Sequence, residues 1–116
     1  MYQTINLTSH ADLIDNEIAS FYFSAWLGGL VWQRDLSTVT IEFQNCTSQQ
    51  IGNNTTIGPV LRDERNWRTG LFPREAEGAI PASSRWMVIT VKMVKDEGWD
   101  NDGAVDNIYF EIICNA

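Results

Sequence analysis

Thr38-Val39-Thr40-Ile41-Glu42-Phe43 decides the reading of this chain. Successive side chains of an extended strand leave on opposite faces, so Val39, Ile41 and Phe43 share one side while Thr38, Thr40 and Glu42 share the other. An apolar face and a polar face on one short segment describe a strand with a core on one side and water on the other. Upstream, Glu17 to Leu27 repeats the pattern. Its odd positions Ala19, Phe21, Phe23, Ala25 and Leu27 are apolar, and its even set includes Ser20 and Ser24. Downstream, Arg85 to Val94 is expected to bury Met87, Ile89, Val91 and Met93, and Ile108 to Ile113 to bury Ile108, Phe110 and Ile112. Weaker strands are expected at Gln3 to Leu7, Thr55 to Leu61 and Arg68 to Pro73, and no helical stripe of useful length interrupts them. Gly58-Pro59 inside one of these marks it as an edge strand or a bulge.

Polar turn signals separate the strands: Asp15-Asn16, Gly28-Gly29, Gly52-Asn53-Asn54, Gly78, Pro81-Ala82-Ser83-Ser84 and Asp102-Gly103. A single sheet could not hide so many apolar faces. The expectation is therefore an all-β fold, an antiparallel β-sandwich, formed by residues 1–116 as a single domain.

Composition bounds the function. With 116 residues, 44% of them apolar and 11% aromatic, the chain can fill one core and is not disordered. Fifteen acidic against eight basic side chains give a formal charge of −7, which repels phosphate backbones and anionic lipid. Nucleic acid is not an expected partner. No run approaches 18 apolar residues, so no membrane insertion is expected. Met1-Tyr2-Gln3 leads straight into patterned sequence with no charged or apolar leader. No signal peptide is expected in the sequence as it stands; the protein would be cytoplasmic if Met1 is the native start and extracellular otherwise. Acceptor sequons begin at Asn6, Asn45, Asn53 and Asn54, but such tripeptides arise by chance in a chain rich in Asn and Thr and do not settle secretion.

If successive strands run antiparallel, the loops Leu30 to Ser37, Arg62 to Trp67 and Asp96 to Asn107 share one end of the sandwich. Each carries a tryptophan: Trp32, Trp67 and Trp99, while Trp26 and Trp86 lie within strands. Around the three loop indoles stand Arg34, Asp35, Asp63, Glu64, Arg65, Asn66, Arg68, Asp100, Asn101 and Asp102. A sugar offers an apolar C–H face and a rim of hydroxyls, which match an aromatic ring and neighbouring carboxylate, amide or guanidinium groups. The expected ligand-binding residues are Trp32, Arg34, Asp35, Arg65, Asn66, Trp67, Trp99, Asp100 and Asn101. The alternative is that the charged residues solvate the loops and the indoles seal the end of the core.

Asp96 to Asp106 holds Asp96, Glu97, Asp100, Asp102 and Asp106, with one lysine, Lys95, just before them. Hard oxygen ligands at this density suggest calcium, with Asp102 and Asp106 as metal residues. Asp100-Asn101-Asp102-Gly103 imitates the start of an EF-hand loop, but Ala104 and Val105 follow and no glutamate stands in register at the twelfth position. Alternatively, Asp106 accepts backbone N–H bonds and braces the loop that carries Trp99. His10, the single histidine, lies in a polar turn with no nucleophile motif, so no catalytic residue is expected. Cys46 and Cys114 fall at the end opposite the tryptophans, where they are either bridged or two buried thiols.

The runs Phe23-Ser24-Ala25-Trp26-Leu27-Gly28-Gly29, Thr38 to Phe43, Ile57-Gly58-Pro59-Val60, Arg68-Thr69-Gly70, Ile80-Pro81-Ala82 and Asn101 to Asn107 resemble the galactose-binding-domain-like jelly rolls, over almost the whole chain. The superfamily includes lectins, carbohydrate-binding modules and protein-binding domains, so the resemblance speaks for the fold more than for a ligand. In its calcium-containing carbohydrate-binding modules an Asp just before the last strand helps hold a structural ion, and Asp106 matches that position. Within the superfamily the chain is similar to modules found in bacterial extracellular proteins, but Trp67 and Trp99 stand where those modules carry smaller or less aromatic residues, a departure that favours a dedicated sugar site. The resulting expectation is a lectin, a homo-oligomer that gains avidity, binding a glycan or glycoconjugate without catalysis. A protein-interaction or adhesion module using the same loops is the rival, and a glycosidase using Asp35 and Asp100 is a third reading.

Overall fold

The computed structural model describes residues 2–29, 36–59, 70–94 and 104–115. β1 (Tyr2–Asn6) is followed by a helical turn (Thr8–His10) and a one-and-a-half-turn helix, α1 (Ala11–Asp15). Then come β2 (Ala19–Gly29), β3 (Leu36–Gln44), β4 (Gln50–Ile57), β5 (Gly70–Ala79), β6 (Trp86–Val94) and β7 (Ala104–Cys114). Two antiparallel sheets result, one in the order β1-β6-β3-β4 and the other β5-β2-β7. Only β3 and β4 are joined within one sheet. Every other connection crosses to the facing sheet, so the chain forms the antiparallel β-sandwich that the alternation predicts.

The core is the set of inward positions. Ala19, Phe21, Phe23, Ala25 and Leu27 of β2 meet Val39, Ile41 and Phe43 of β3 and Met87, Ile89 and Val91 of β6, all buried, with Leu7, Ile14, Ile57 and Ile80 closing the ends. Phe21 packs on Phe43 with ring centres 5.5 Å apart, which joins the two sheets. Met93 and Ile108 depart from expectation, being 48% and 40% exposed. Ile108 lies on β7, an edge strand of the smaller sheet, and Met93 lies next to the end of β6. Ile108 also lies in the bulge between the Ser24–Tyr109 and Trp26–Asp106 pairs, and alternation along one strand does not report what covers its inward positions.

Several boundaries also move. Gly52-Asn53-Asn54 is a bulge inside β4, not a turn: Ile41 pairs with Thr55 and Phe43 with Ile51, so Glu42 faces three residues. β5 extends well past the expected Pro73, which an edge strand tolerates because one row of its N–H groups needs no partner. β7 begins at Ala104, so Asp106 lies within the last strand and not just before it. α1 is too short to show a helical period in sequence. It ends where Glu17 takes φ 59°, with Glu17 N–H donating to Ile14 O at 3.1 Å and Ile18 N–H to Leu13 O at 3.2 Å, a Schellman closure. Asp15 at its end holds the β5–β6 turn through Arg85 Nη2 at 2.5 Å and Ser83 N–H at 2.9 Å. Among the described residues no helix is long and apolar enough to cross a membrane.

The asparagines of two sequons make turns. Asn6 Oδ1 accepts from Thr8 N–H at 2.8 Å, and Asn45 Oδ1 accepts from Thr47 N–H and Gln49 N–H at 3.0 Å each, shaping the β3–β4 hairpin. Cys46 and Cys114 are both free and exposed, which corrects the alternatives of a bridge or of buried thiols. Each stands at a strand end, beyond the packed interior.

Candidate functional site

The strand ends from which the three tryptophan loops leave are gathered together. In the smaller sheet Gly29 pairs with Gly70 and Gly28 with Ala104, and in the larger one Leu36 pairs with Val94 and Val39 with Ile57. Gly58 ties the two sheets at this end. A Cβ built on it would lie 2.5 Å from Leu27 Cδ1 and 2.9 Å from Ser37 O. Only a residue without a side chain permits that approach, and φ +87° independently favours glycine there. The loops themselves, and with them Trp32, Arg34, Asp35, Arg65, Asn66, Trp67, Trp99, Asp100, Asn101 and Asp102, lie outside the described residues. Asp106 is placed by its backbone, opposite Trp26.

The outward face of β2 leads to this end. Its even positions are Ser20, Tyr22, Ser24 and Trp26, and period two directs them away from the core that Phe21, Phe23 and Ala25 fill. Trp26 is 41% exposed although it sits on a strand paired on both sides. Neighbouring strands complete the surface. Pro73, Glu75 and Glu77 of β5 pair with Trp26, Ser24 and Tyr22, and Tyr109 and Glu111 of β7 pair with Ser24 and Tyr22. A bulge sets this arrangement. Ala25 faces both Asn107 and Ile108, and Asn107 adopts φ 55°, which keeps Tyr109 on the outward side.

Tyr22 and Tyr109 meet edge to face with centres 6.2 Å apart. Tyr22 Oη donates to Glu75 Oε2 at 2.5 Å, and Tyr109 Oη to Glu111 Oε2 at 3.2 Å. The hydrogen bond to Glu75 is the main reason that the Tyr22 phenol ionises above the ordinary tyrosine range, and the negative charge of Glu111 is the main reason for Tyr109. Tyr22, Ser24, Trp26, Pro73, Arg74 and Glu75 line a groove of about 530 Å³. Arg74 reaches it from the β5 edge, its Nη1 donating to Pro73 O at 2.8 Å. Fixed aromatic rings beside carboxylates with spare acceptor positions are equipped to stack on a ring face and to accept hydrogen bonds from its substituents.

None of Tyr22, Glu75, Tyr109 and Glu111 was singled out from sequence, and Trp26 was noted only as lying in a strand. The signal was available for Trp26 and Tyr22. Both belong to the even set of β2, so the alternation that buries Phe21 and Phe23 sends them outward. It was available for Tyr109 and Glu111 too, which alternate with Phe110 and Ile112; Glu75 needed the strand register. Among the described residues no three His, Cys, Asp or Glu side chains are grouped to hold a metal ion.

No protein-family model matches the chain, and no curated protein matches it. Among solved structures it is similar to the enzymatically active domain of tailspike protein 4 from bacteriophage CBA120, with a TM-score of 0.62 and 12% identity. The likeness covers 97% of this chain and only 13% of the tailspike chain. At that identity it speaks for the β-sandwich fold alone.

Proposed function

We propose that this chain is a lectin-like, non-catalytic carbohydrate-binding β-sandwich of the galactose-binding-domain-like kind. Its glycan lies on the Tyr22, Trp26 and Tyr109 face and extends toward the tryptophan-bearing loops. The observation that carries the reading is Trp26, 41% exposed on a strand paired on both sides, with Tyr22 and Tyr109 farther along the same outward face. An indole held in water by a rigid sheet gives an apolar ligand face a platform that needs no reordering on binding. The likeness to the tailspike domain supports the β-sandwich that presents this face, and no more than that. A homo-oligomer would add avidity to a shallow site.

A glycan array with and without calcium tests the reading, followed by tryptophan fluorescence titration of each hit. Binding should quench or shift the emission, and Trp26→Ala should weaken it about 2–12-fold, the worth of one aromatic contact. An array with no binder in either condition refutes the proposal. No catalytic step is assigned. Asp35 and Asp100, the carboxylates open to a glycosidase reading, lie outside the described residues, and release of product from labelled oligosaccharides would overturn the non-catalytic part.

A protein-interaction module is the second reading, and one observation favours it. Tyr2, Ile5, Ile89, Val91, Ile108 and Phe110 line an apolar cleft of about 540 Å³ where β1 and β7 leave the sandwich open. Flat fluorescence with every sugar, together with a protein partner lost on Ile108→Asp, is the outcome that this reading requires.

A further inference from the structure

We infer that the glycan taken by the β2 face is an extended oligosaccharide bearing protonated amino groups, and that acidic glycans are rejected. The inference rests on the carbohydrate reading above and names its ligand class. Length comes first. Tyr22 and Trp26 stand on one face four residues apart, about 13 Å along the strand, with Tyr109 beside Ser24 between them. That span exceeds one pyranose ring, so the platform suits a chain of sugars over a single terminal unit.

Charge selects among such chains. Glu75 and Glu77 flank the aromatic row on the β5 side and Glu111 on the β7 side, all exposed. The cation at the groove is Arg74, which comes from the inward-facing register position opposite Ala25 and donates to Pro73 O. The whole chain carries a formal charge of −7. Glu75 and Glu111 each accept one phenol, and a carboxylate has about four acceptor positions, so both retain room for an ammonium or hydroxyl donor. An ammonium donor makes a charge-assisted bond stronger than a neutral hydroxyl makes. A uronate or sulfate would instead meet like charge on both sides of the row.

The test compares three oligosaccharides of equal length by fluorescence titration, below the amine pKa and at low salt. They are β-1,4-linked glucosamine, its N-acetylated counterpart and galacturonate. Glucosamine should bind tightest, by about 1.5–5-fold per engaged ammonium over the acetylated chain, and galacturonate weakest. Added salt should narrow the spread, because these groups are exposed. In the Glu75→Gln/Glu111→Gln variant the ratio of glucosamine to N-acetylated affinity should fall toward one. Galacturonate binding as tightly as glucosamine overturns the inference, and so does a preference that survives in the variant. Oligolysine binding with the same affinity and the same emission change also overturns it, since the face would then read charge alone. Neutral chains that bind without any preference leave the carbohydrate reading standing and remove this inference only. Failure of all three sugars counts against both.

Discussion

Gly58→Ala tests the joint that holds the loop-bearing end together. Two effects act on the new methyl group. An L-residue at φ +87° occupies the left-handed region, which costs about 1–2 kcal/mol. The methyl also arrives 2.5 Å from Leu27 Cδ1 and 2.9 Å from Ser37 O. Leu27 is fully buried and Ser37 O is backbone, so neither can swing aside and one of the sheets must shift, at roughly 1–3 kcal/mol for overpacking. The variant should therefore lose about 2–5 kcal/mol, a large share of the roughly 5–15 kcal/mol that holds a domain of this kind folded. Urea unfolding followed by circular dichroism measures it, with the midpoint falling and the slope unchanged. A loss below about 0.5 kcal/mol would refute the reasoning and show that β2, β3 and the end of β4 do not meet at Gly58 as described.

Asp15 should titrate below the ordinary carboxylate range, because Arg85 and the Ser83 N–H both bond its charged form. Its stabilisation is thus present above the unfolded-state pKa and fades as pH falls through the lower folded value; NMR titration should show this depression, and Arg85→Met should relieve most of it. The Tyr22 phenol should ionise above the ordinary tyrosine range, so its contribution is present below the unfolded-state pKa and lost as pH rises through the folded one. Phenolate absorbance should show this rise, and Glu75→Gln should reverse most of it. Cys46 and Cys114 should both react with a thiol reagent in the native protein, and a single reactive thiol would contradict their exposure.

Much of the architecture was legible because period two is a strong signal where one face is buried. The inward residues of β2 and β3, and Met87, Ile89 and Val91 of β6, were all readable in this way. Met93 and Ile108 were not, because alternation along one strand does not report what covers its inward positions. The bulges at Gly52-Asn53-Asn54 and at Asn107 were misread or missed for a related reason. A bulge and a turn use the same glycine and asparagine residues, and only the partner strand distinguishes them. The site divides similarly. Loop parity anticipated that the flanks of all three tryptophan loops converge, and the pairing of Gly29 with Gly70 and Leu36 with Val94 agrees with it. The Glu75 partner of Tyr22 depends on pairing with a strand 53 positions away, which no local pattern encodes, whereas Glu111 stands two residues from Tyr109 on the same strand face.

The most direct test of the central claim is an NMR titration of the labelled protein with the tightest oligosaccharide from an array of neutral, amino and acidic glycans. The perturbed signals should cluster at Tyr22, Ser24, the Trp26 indole, Glu75 and Tyr109. Perturbations centred on Tyr2, Ile5, Ile108 and Phe110 instead, with the β2 face unmoved, would contradict it.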